Sequence, residues 1–314
     1  MIIRQEMTAV PAGFDKKNYE IIENEDNLPY KIIIHTKQGM EADGHLNENG
    51  KLVIPHLMNH WHDALELDYI FNGAWQYIVN GAESIVSKEQ FILINCGDIH
   101  GINFDFDLEG LDIIGFTLLI TEDFIKTLIP DIRESFFDNA KASKSPAVGE
   151  RLLKIYRMYT ESPDEYLPLS LTGECVLLLH DLCASGAKTG KSAIPINSQK
   201  SVERLRGILQ FVEDNYTEEL LQENVAARFY FSRGYFSRFF KSYTGMTFKE
   251  YLTRFRLEKA RELLLDTDLN MTEIAMRCGF SDSRRFIISY KKYYEMTPYQ
   301  CRLAQKSRLL TDKD

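Results

Sequence analysis

A chain of 314 residues with 44% apolar side chains is long enough for two or three domains with real cores. Five cysteines with no CxxC spacing, no apolar run of bilayer length and no basic-then-apolar start argue against a disulfide or zinc framework, a membrane partner and a secretory leader, so the expected compartment is the cytoplasm. The net charge of −9 conceals a split: residues 197–314 hold 21 basic against 16 acidic side chains, leaving 16 basic and 30 acidic in residues 1–196. An acidic part joined to a basic part implies different partners for the two.

Up to about residue 120 the apolar pattern is short and alternating. Lys31–His35, Lys51–Pro55, Leu65–Phe71, Trp75–Val79, Glu83–Val86, Phe91–Ile94 and Asp112–Leu119 read as strands. Asn49-Gly50, Asn72-Gly73, Asn80-Gly81 and Cys96-Gly97-Asp98 separate them, and Asn-Gly supplies the positive φ of tight hairpins. Strands at this spacing predict a sandwich or barrel. Within this region stand His60-Trp61-His62-Asp63-Ala64-Leu65-Glu66 and, later, Asn95-Cys96-Gly97-Asp98-Ile99-His100. If His60 to Glu66 is one strand, residues two apart share a face and His60, His62 and Glu66 point the same way. Neutral imidazoles with one carboxylate suit iron, manganese, nickel or zinc, and they equally hydrogen-bond hydroxyl groups. Trp61, Tyr69, Trp75 and Tyr77 offer faces for a sugar ring; Tyr69, Trp75 and Tyr77 are also ordinary core residues.

From Thr121 the period lengthens to that of helices, at Thr121-Glu122-Asp123, Arg151–Tyr159 and Leu171–Leu182. Leu171, Cys175, Leu178 and Leu182 share one face, which can pack on the strands or form a dimer interface. Residues 185–198 are polar, with Gly and Pro and no apolar period, and read as a linker.

From about Gln199 the pattern is helical and repeats. Val225-Ala226-Ala227-Arg228-Phe229-Tyr230-Phe231-Ser232 returns as Ile274-Ala275-Met276-Arg277-Cys278-Gly279-Phe280-Ser281, 49 residues on. Phe240 to Thr247 returns as Tyr290 to Thr297, 50 residues on. A helix-turn-helix needs a small residue where its helices cross, a tight turn and a cap on the second helix. Ala275, Gly279 and Ser281 or Asp282 supply these in the second copy. Ala226 and Ser232 do so in the first, with Tyr230 at the glycine position, which predicts a strained or altered turn. Phe236 with Phe240, and Phe286 with Tyr290, are expected to face the core. Arg233, Gly234, Ser237 and Arg238, and Ser283, Arg284, Arg285, Ile287 and Ile288, are expected to face solvent, where Arg and Ser reach phosphates and base edges of double-stranded DNA.

The stretches Gly245 to Leu265 and Met271 to Asp282 resemble the AraC/XylS family of transcription regulators. The resemblance implies two helix-turn-helix subdomains joined by a long helix near Phe248–Leu264. It names Arg233, Ser237, Arg238, Ser283 and Arg284 as the DNA readers, and adds RNA polymerase as a partner if the protein activates. Three positions depart from the family pattern: Ile288 stands where an arginine is usual, Arg285 where an aromatic is usual and Glu295 where a glycine is usual. The histidine segments resemble the two cupin motifs, and the family's cupin-like sensor domains imply a small-molecule, sugar-like effector at His60, His62, Glu66 and His100. The expected fold is α+β: a cupin-like barrel at 1–120, a helical packing or dimerisation segment at 121–184, a linker at 185–198 and a tandem helix-turn-helix domain at 199–308. The expected function is ligand-responsive, sequence-specific transcription regulation by a homodimer, without catalytic residues or a cofactor and with the metal question open. The alternative is a metal-dependent cupin enzyme carrying a DNA-binding tail.

Overall fold

A computed structural model describes residues 28–36, 45–46, 52–53, 57–104, 113–161, 164–190 and 196–311. The Asn49-Gly50 turn, and all of the expected strand Lys51–Pro55 except Leu52 and Val53, lie outside them. The described residues fall into two compact units, those within 1–40 and 59–203 and those within 41–58 and 204–314.

The first unit holds strands β1 (Tyr30–Thr36), β4 (Leu57–His60), β5 (Ala64–Ile70), β6 (Ala74–Val79), β7 (Ala82–Ser87), β8 (Gln90–Ile94), β9 (His100–Phe104) and β10 (Ile113–Thr121). β2 (His45–Leu46) and β3 (Leu52–Val53), which fall in the second unit, pair with each other among the described residues. The larger strands make two four-stranded sheets, ordered β1-β10-β5-β8 and β4-β9-β6-β7. Asn80 (φ 49°) and Gly81 (φ 85°) give the β6–β7 hairpin the two left-handed residues of a type I′ turn. The short strands β4 and β9 escape a pattern-based reading because four or five residues show little alternation.

Register sorts the first sheet into two faces. Ile32, Leu118, Leu67 and Leu93 form one row, and Ile34, Phe116, Tyr69 and Phe91 the next on the same side. This face is covered by α1 (Glu122–Leu128), α3 (Pro146–Glu161) and α4 (Leu167–Ala184), whose Ile125, Val148, Leu152, Ile155, Leu171, Cys175, Leu178 and Leu182 join its core. Each such side chain taken fully out of water contributes about 1.5–3 kcal/mol. The Leu171–Cys175–Leu178–Leu182 face is therefore core, and the dimer reading of that face is corrected. α4 is long and apolar enough by composition to cross a bilayer; its inner face packs on the sheet, while Leu169, Val176 and Leu177 on its outer face are exposed. α2 (Asn139–Ala142) is short and capped by Asp138. Within the expected linker, Lys188–Gly190 forms β12 and pairs with β11 (Ser135–Phe137), a three-residue strand too short to leave a sequence pattern.

From residue 196 the chain is helical, crossing into the second unit within α5 (Ile196–Asn215) and continuing as α6 (Gln222–Arg228), α7 (Arg233–Thr244), α8 (Phe248–Asp266), α9 (Met271–Arg277), α10 (Ser283–Tyr294) and α11 (Pro298–Thr311). α6–α7 and α9–α10 are the two helix-turn-helices, and α8 joins them. Thr247 and Glu250 close a capping box at the start of α8, and Asn270 with Glu273 does the same for α9. Ser232 caps α7 through the Tyr235 amide, and Asp282, not Ser281, caps α10 through the Arg285 amide. Phe236 and Phe240 pack on Phe248 and Tyr251 of α8; Phe286, Tyr290 and Tyr294 pack with Leu257, Ala260 and Leu264 further along it.

Both turns place the second residue after the first helix in the left-handed region, Tyr230 at φ 59° and Gly279 at φ 76°. A Cβ on Gly279 would lie 2.6 Å from the Tyr216 carbonyl oxygen and 2.9 Å from Thr217, so no other residue fits. Tyr230 is 94% exposed and bears the strain expected of it without compensating packing. Glu295, in place of glycine, likewise takes φ 56° where its counterpart Gly245 has φ 76°. Gly279→Ala should lower stability by about 2–4 kcal/mol through clash and backbone strain. Tyr230→Gly should raise it by about 1 kcal/mol. Urea unfolding of both variants checks this, and equal effects of like sign would contradict it.

Candidate functional site

Two sites emerge, one on each unit. On α7 and α10 the aromatic stripe turns inward, so the opposite face is set by helical geometry. Phe236, Phe240, Phe286 and Tyr290 are fully buried. Arg233, Gly234, Tyr235, Arg238 and Lys241 are exposed on α7, and Arg284, Arg285, Ile288, Lys291 and Lys292 on α10. Of the expected readers, Arg233, Arg238 and Arg284 are exposed, while Ser237 and Ser283 are half-buried at the flank. The exposed basic side chains number three on α7 and four on α10, a footprint suited to phosphate contact in a major groove.

The second site lies between the two sheets. His60 ends β4, His62 sits in the crossover and Glu66 is the third residue of β5, so the three do not share one strand. Their convergence comes from the chain passing from one sheet to the other, and the strand-alternation argument is corrected accordingly. His100 opens β9. The four residues are between 0% and 7% exposed. His62 Nε2 lies 2.7 Å and His100 Nε2 3.2 Å from the same Glu66 oxygen, and the His60 and His100 rings are 4.1 Å apart. The loop before β9 holds His100 in place: Gly97 N–H donates to the His62 carbonyl at 2.8 Å, and His100 Nδ1 donates to the Asp98 carbonyl at 3.0 Å. Asn80 in turn donates to Asp98 at 2.7 Å.

Burial alone disfavours charge on Glu66, but His100 and His62 outweigh it and hold the carboxyl well below the usual carboxylate range. Burial likewise works against a cationic His100, yet the Glu66 carboxylate lifts it to about 9. One ligand atom from each of His60, His62 and His100 falls within 4.8 Å of the others. With the Nδ1 of His100 committed to a carbonyl, its Nε2 is the nitrogen turned to the cluster. The three imidazoles would suit a transition-metal ion, which would supply Lewis-acid chemistry toward a bound oxygen. The cluster also fits a hydroxylated molecule.

The polar interior extends beyond the expected residues. Asp68, two along β5 from Glu66 and on the same face, accepts hydrogen bonds from Tyr77 Oη at 2.8 Å and from Thr117 Oγ1. His35 Nε2 donates to Thr117 Oγ1 at 2.8 Å. Burial first, and the Glu66 charge second, push the Asp68 carboxyl up. Burial drives His35 down to about 4: the residue as a whole is half-buried, but its Nδ1 is inside. Among the described residues, His35 Nδ1 and His62 Nδ1 are buried without a hydrogen-bond partner, two polar atoms available to a ligand. Strand alternation from Glu66 to Asp68, then cross-strand register to Thr117, is the signal that would have found this extension. Of the aromatics, Trp75 and Tyr77 stack at 6.4 Å and Tyr77 reaches Asp68, whereas Tyr69 belongs to the opposite, helix-covered face.

Comparison with known proteins places these features in context. The family described as "Helix-turn-helix domain" matches residues 225–304. Over 270 residues, 82% of this chain and 88% of the relative, the chain is 25% identical to the melibiose operon regulatory protein of Escherichia coli (strain K12). Over 112 residues, 36% of this chain and 40% of the relative, it is 38% identical to the HTH-type transcriptional activator RhaS of Klebsiella pneumoniae (strain 342). Among solved structures, the C-terminal domain of the response regulator yesN from Fusobacterium nucleatum is 39% identical, covering 32% of this chain and 98% of that one, with a TM-score of 0.31. The tandem repeat, the two capped turns and the regulators that share its sequence lead to one assignment: residues 225–304 form a helix-turn-helix domain of the AraC/XylS type, and the chain is a DNA-binding transcription regulator.

Proposed function

We propose that this regulator reads its operator through α7 and α10, with Arg233, Ser237, Arg238, Ser283 and Arg284 as contacts, and is controlled by a small polar, sugar-like effector bound among His60, His62, Glu66 and His100. The observation that carries the DNA half is the pair of cationic helix faces, each set opposite a buried aromatic stripe. The effector half is supported by the buried polar interior and by a relative named for a sugar operon. In this reading residues 1–120 are the sensor, 121–184 pack and dimerise, 185–198 connect and 199–308 bind DNA. The compartment is the cytoplasm, and RNA polymerase is a further partner if the protein activates.

Arg238 stands at the centre of the α7 face. If it reads a base, Arg238→Ala costs about 1–3 kcal/mol and relaxes preference at one position; if it meets a phosphate, affinity falls for all sequences and the salt slope drops by about one. Operator titrations at several salt concentrations check this, and an unaltered isotherm would remove Arg238 from the interface.

Glu66→Gln keeps the shape of the polar site but loses the charge that holds two imidazoles. Effector control of operator affinity, typically ~1–3 kcal/mol in such couplings, should weaken while effector-free DNA binding persists. The site is read as binding rather than catalytic, since the relatives are regulators. The specific observation favouring the enzyme alternative is the metal-fitting imidazole cluster. Metal analysis of the purified full chain, with chelator challenge, separates the two: stoichiometric metal unconnected to operator control supports the enzyme, and full operator control in metal-free protein removes it.

The dimer interface is assigned to the outer face of α4 and its preceding turn. Tyr166 (64% exposed), Leu169 (73%), Val176 and Leu177 line it, opposite the core face. Charges are scarce there, as at the centre of interfaces. Leu169→Asp should leave the fold intact and convert dimer to monomer in analytical ultracentrifugation. An unaltered dimer, or a monomeric wild type, would contradict the assignment.

A further inference from the structure

The two reading helices are not chemically equivalent. Arg238 at the centre of the α7 face corresponds, 50 residues on, to Ile288 in α10. Ile288 is 58% exposed and lies two residues from each of Phe286 and Tyr290, both fully buried, so helical geometry turns it away from the core. Arg284, Arg285, Lys291 and Lys292 are exposed around it. An isolated exposed apolar side chain is ordinary on a protein surface. This one is set among the cations that bring the helix to DNA, at the position where the sister helix carries a hydrogen-bonding group.

In a major groove a branched alkyl side chain can form no hydrogen bond, and it strips water from whatever base edge it meets. The apolar group that the groove presents is the 5-methyl of thymine. Burying Ile288 against that methyl is favourable, whereas against a guanine or cytosine edge it leaves polar atoms without partners. We infer that Ile288 selects a thymine by packing on its 5-methyl group. The two helix-turn-helices then specify sequence by different means, hydrogen bonding at Arg238 and apolar contact at Ile288. The inference rests on α10 entering the major groove, as proposed above.

The test uses the full chain and an operator obtained by selection from random duplex DNA. Each thymine in the segment protected by α10 is replaced singly by deoxyuridine, which removes only the methyl. At one position the wild type should bind about four-fold more weakly, the factor corresponding to the ~0.8 kcal/mol of one buried methyl-sized group. Ile288→Ala should bind the thymine operator about as weakly and be indifferent to that replacement. Indifference of the wild type at every such thymine, a selected segment without thymine, or equal sensitivity of the wild type and Ile288→Ala would each overturn the inference. Arg284→Ala reports separately on docking: unchanged affinity and salt dependence would show that α10 stays out of the groove, and the parent reading would fail with it.

Discussion

The Tyr216 carbonyl occupies the space that a Cβ on residue 279 would need, and this close approach ties the two helix-turn-helices into one reading head. The segment after α5 is held there by Arg256 of α8, which donates to the carbonyls of Tyr216 at 2.7 Å and Glu218 at 2.6 Å. Arg302 of α11 similarly caps the end of α8 through the Leu264 and Thr267 carbonyls. With α8 as the spine, α7 packs on its first half and α10 on its second. Its 19 residues span about 28 Å at 1.5 Å per residue, close to the ~34 Å of one DNA turn. The spacing of the two cationic faces is thus set by a rigid helix, and a glycine is required where the strap meets the second turn.

The first unit is built on a different constraint. Two carboxyl groups, a phenol and several imidazoles are enclosed where two sheets would ordinarily meet through apolar side chains. Buried charge is costly unless paired, and here Glu66 is paired with His62 and His100 while Asp68 is satisfied by Tyr77 and Thr117. Such a network is stable only when its members are satisfied together, so a ligand that takes over one hydrogen bond alters the balance of the rest. That property suits a sensor, because a small occupant acquires leverage over the packing of both sheets.

The repeat in the C-terminal unit was legible because turn stereochemistry and aromatic spacing are local and occur twice. Even the misfit of Tyr230 could be read, since its position demands a left-handed backbone. The four residues that converge between the sheets were legible as a motif, but the reason they meet was not: a crossover between sheets, invisible to strand alternation, brings them together. Asp68, Thr117 and His35 were missed because a lone polar residue in an alternating strand reads the same whether its face is solvent or interior. Only the pairing of Thr117 with Asp68 across strands reveals which. On α4 the apolar pattern was right and its destination was undecided, because amphipathicity shows which face is buried but not against what.

Hydrogen–deuterium exchange of the full chain, with and without its operator duplex, tests the central claim most directly. The account predicts that DNA slows exchange of the amides in the turns at Tyr230 and Gly279 and in the first halves of α7 and α10. Strands β5 and β9, which contribute Glu66 and His100 to the proposed effector site, should respond to effector. Protection by DNA confined to residues 30–184, with α7 and α10 unaffected, would contradict it.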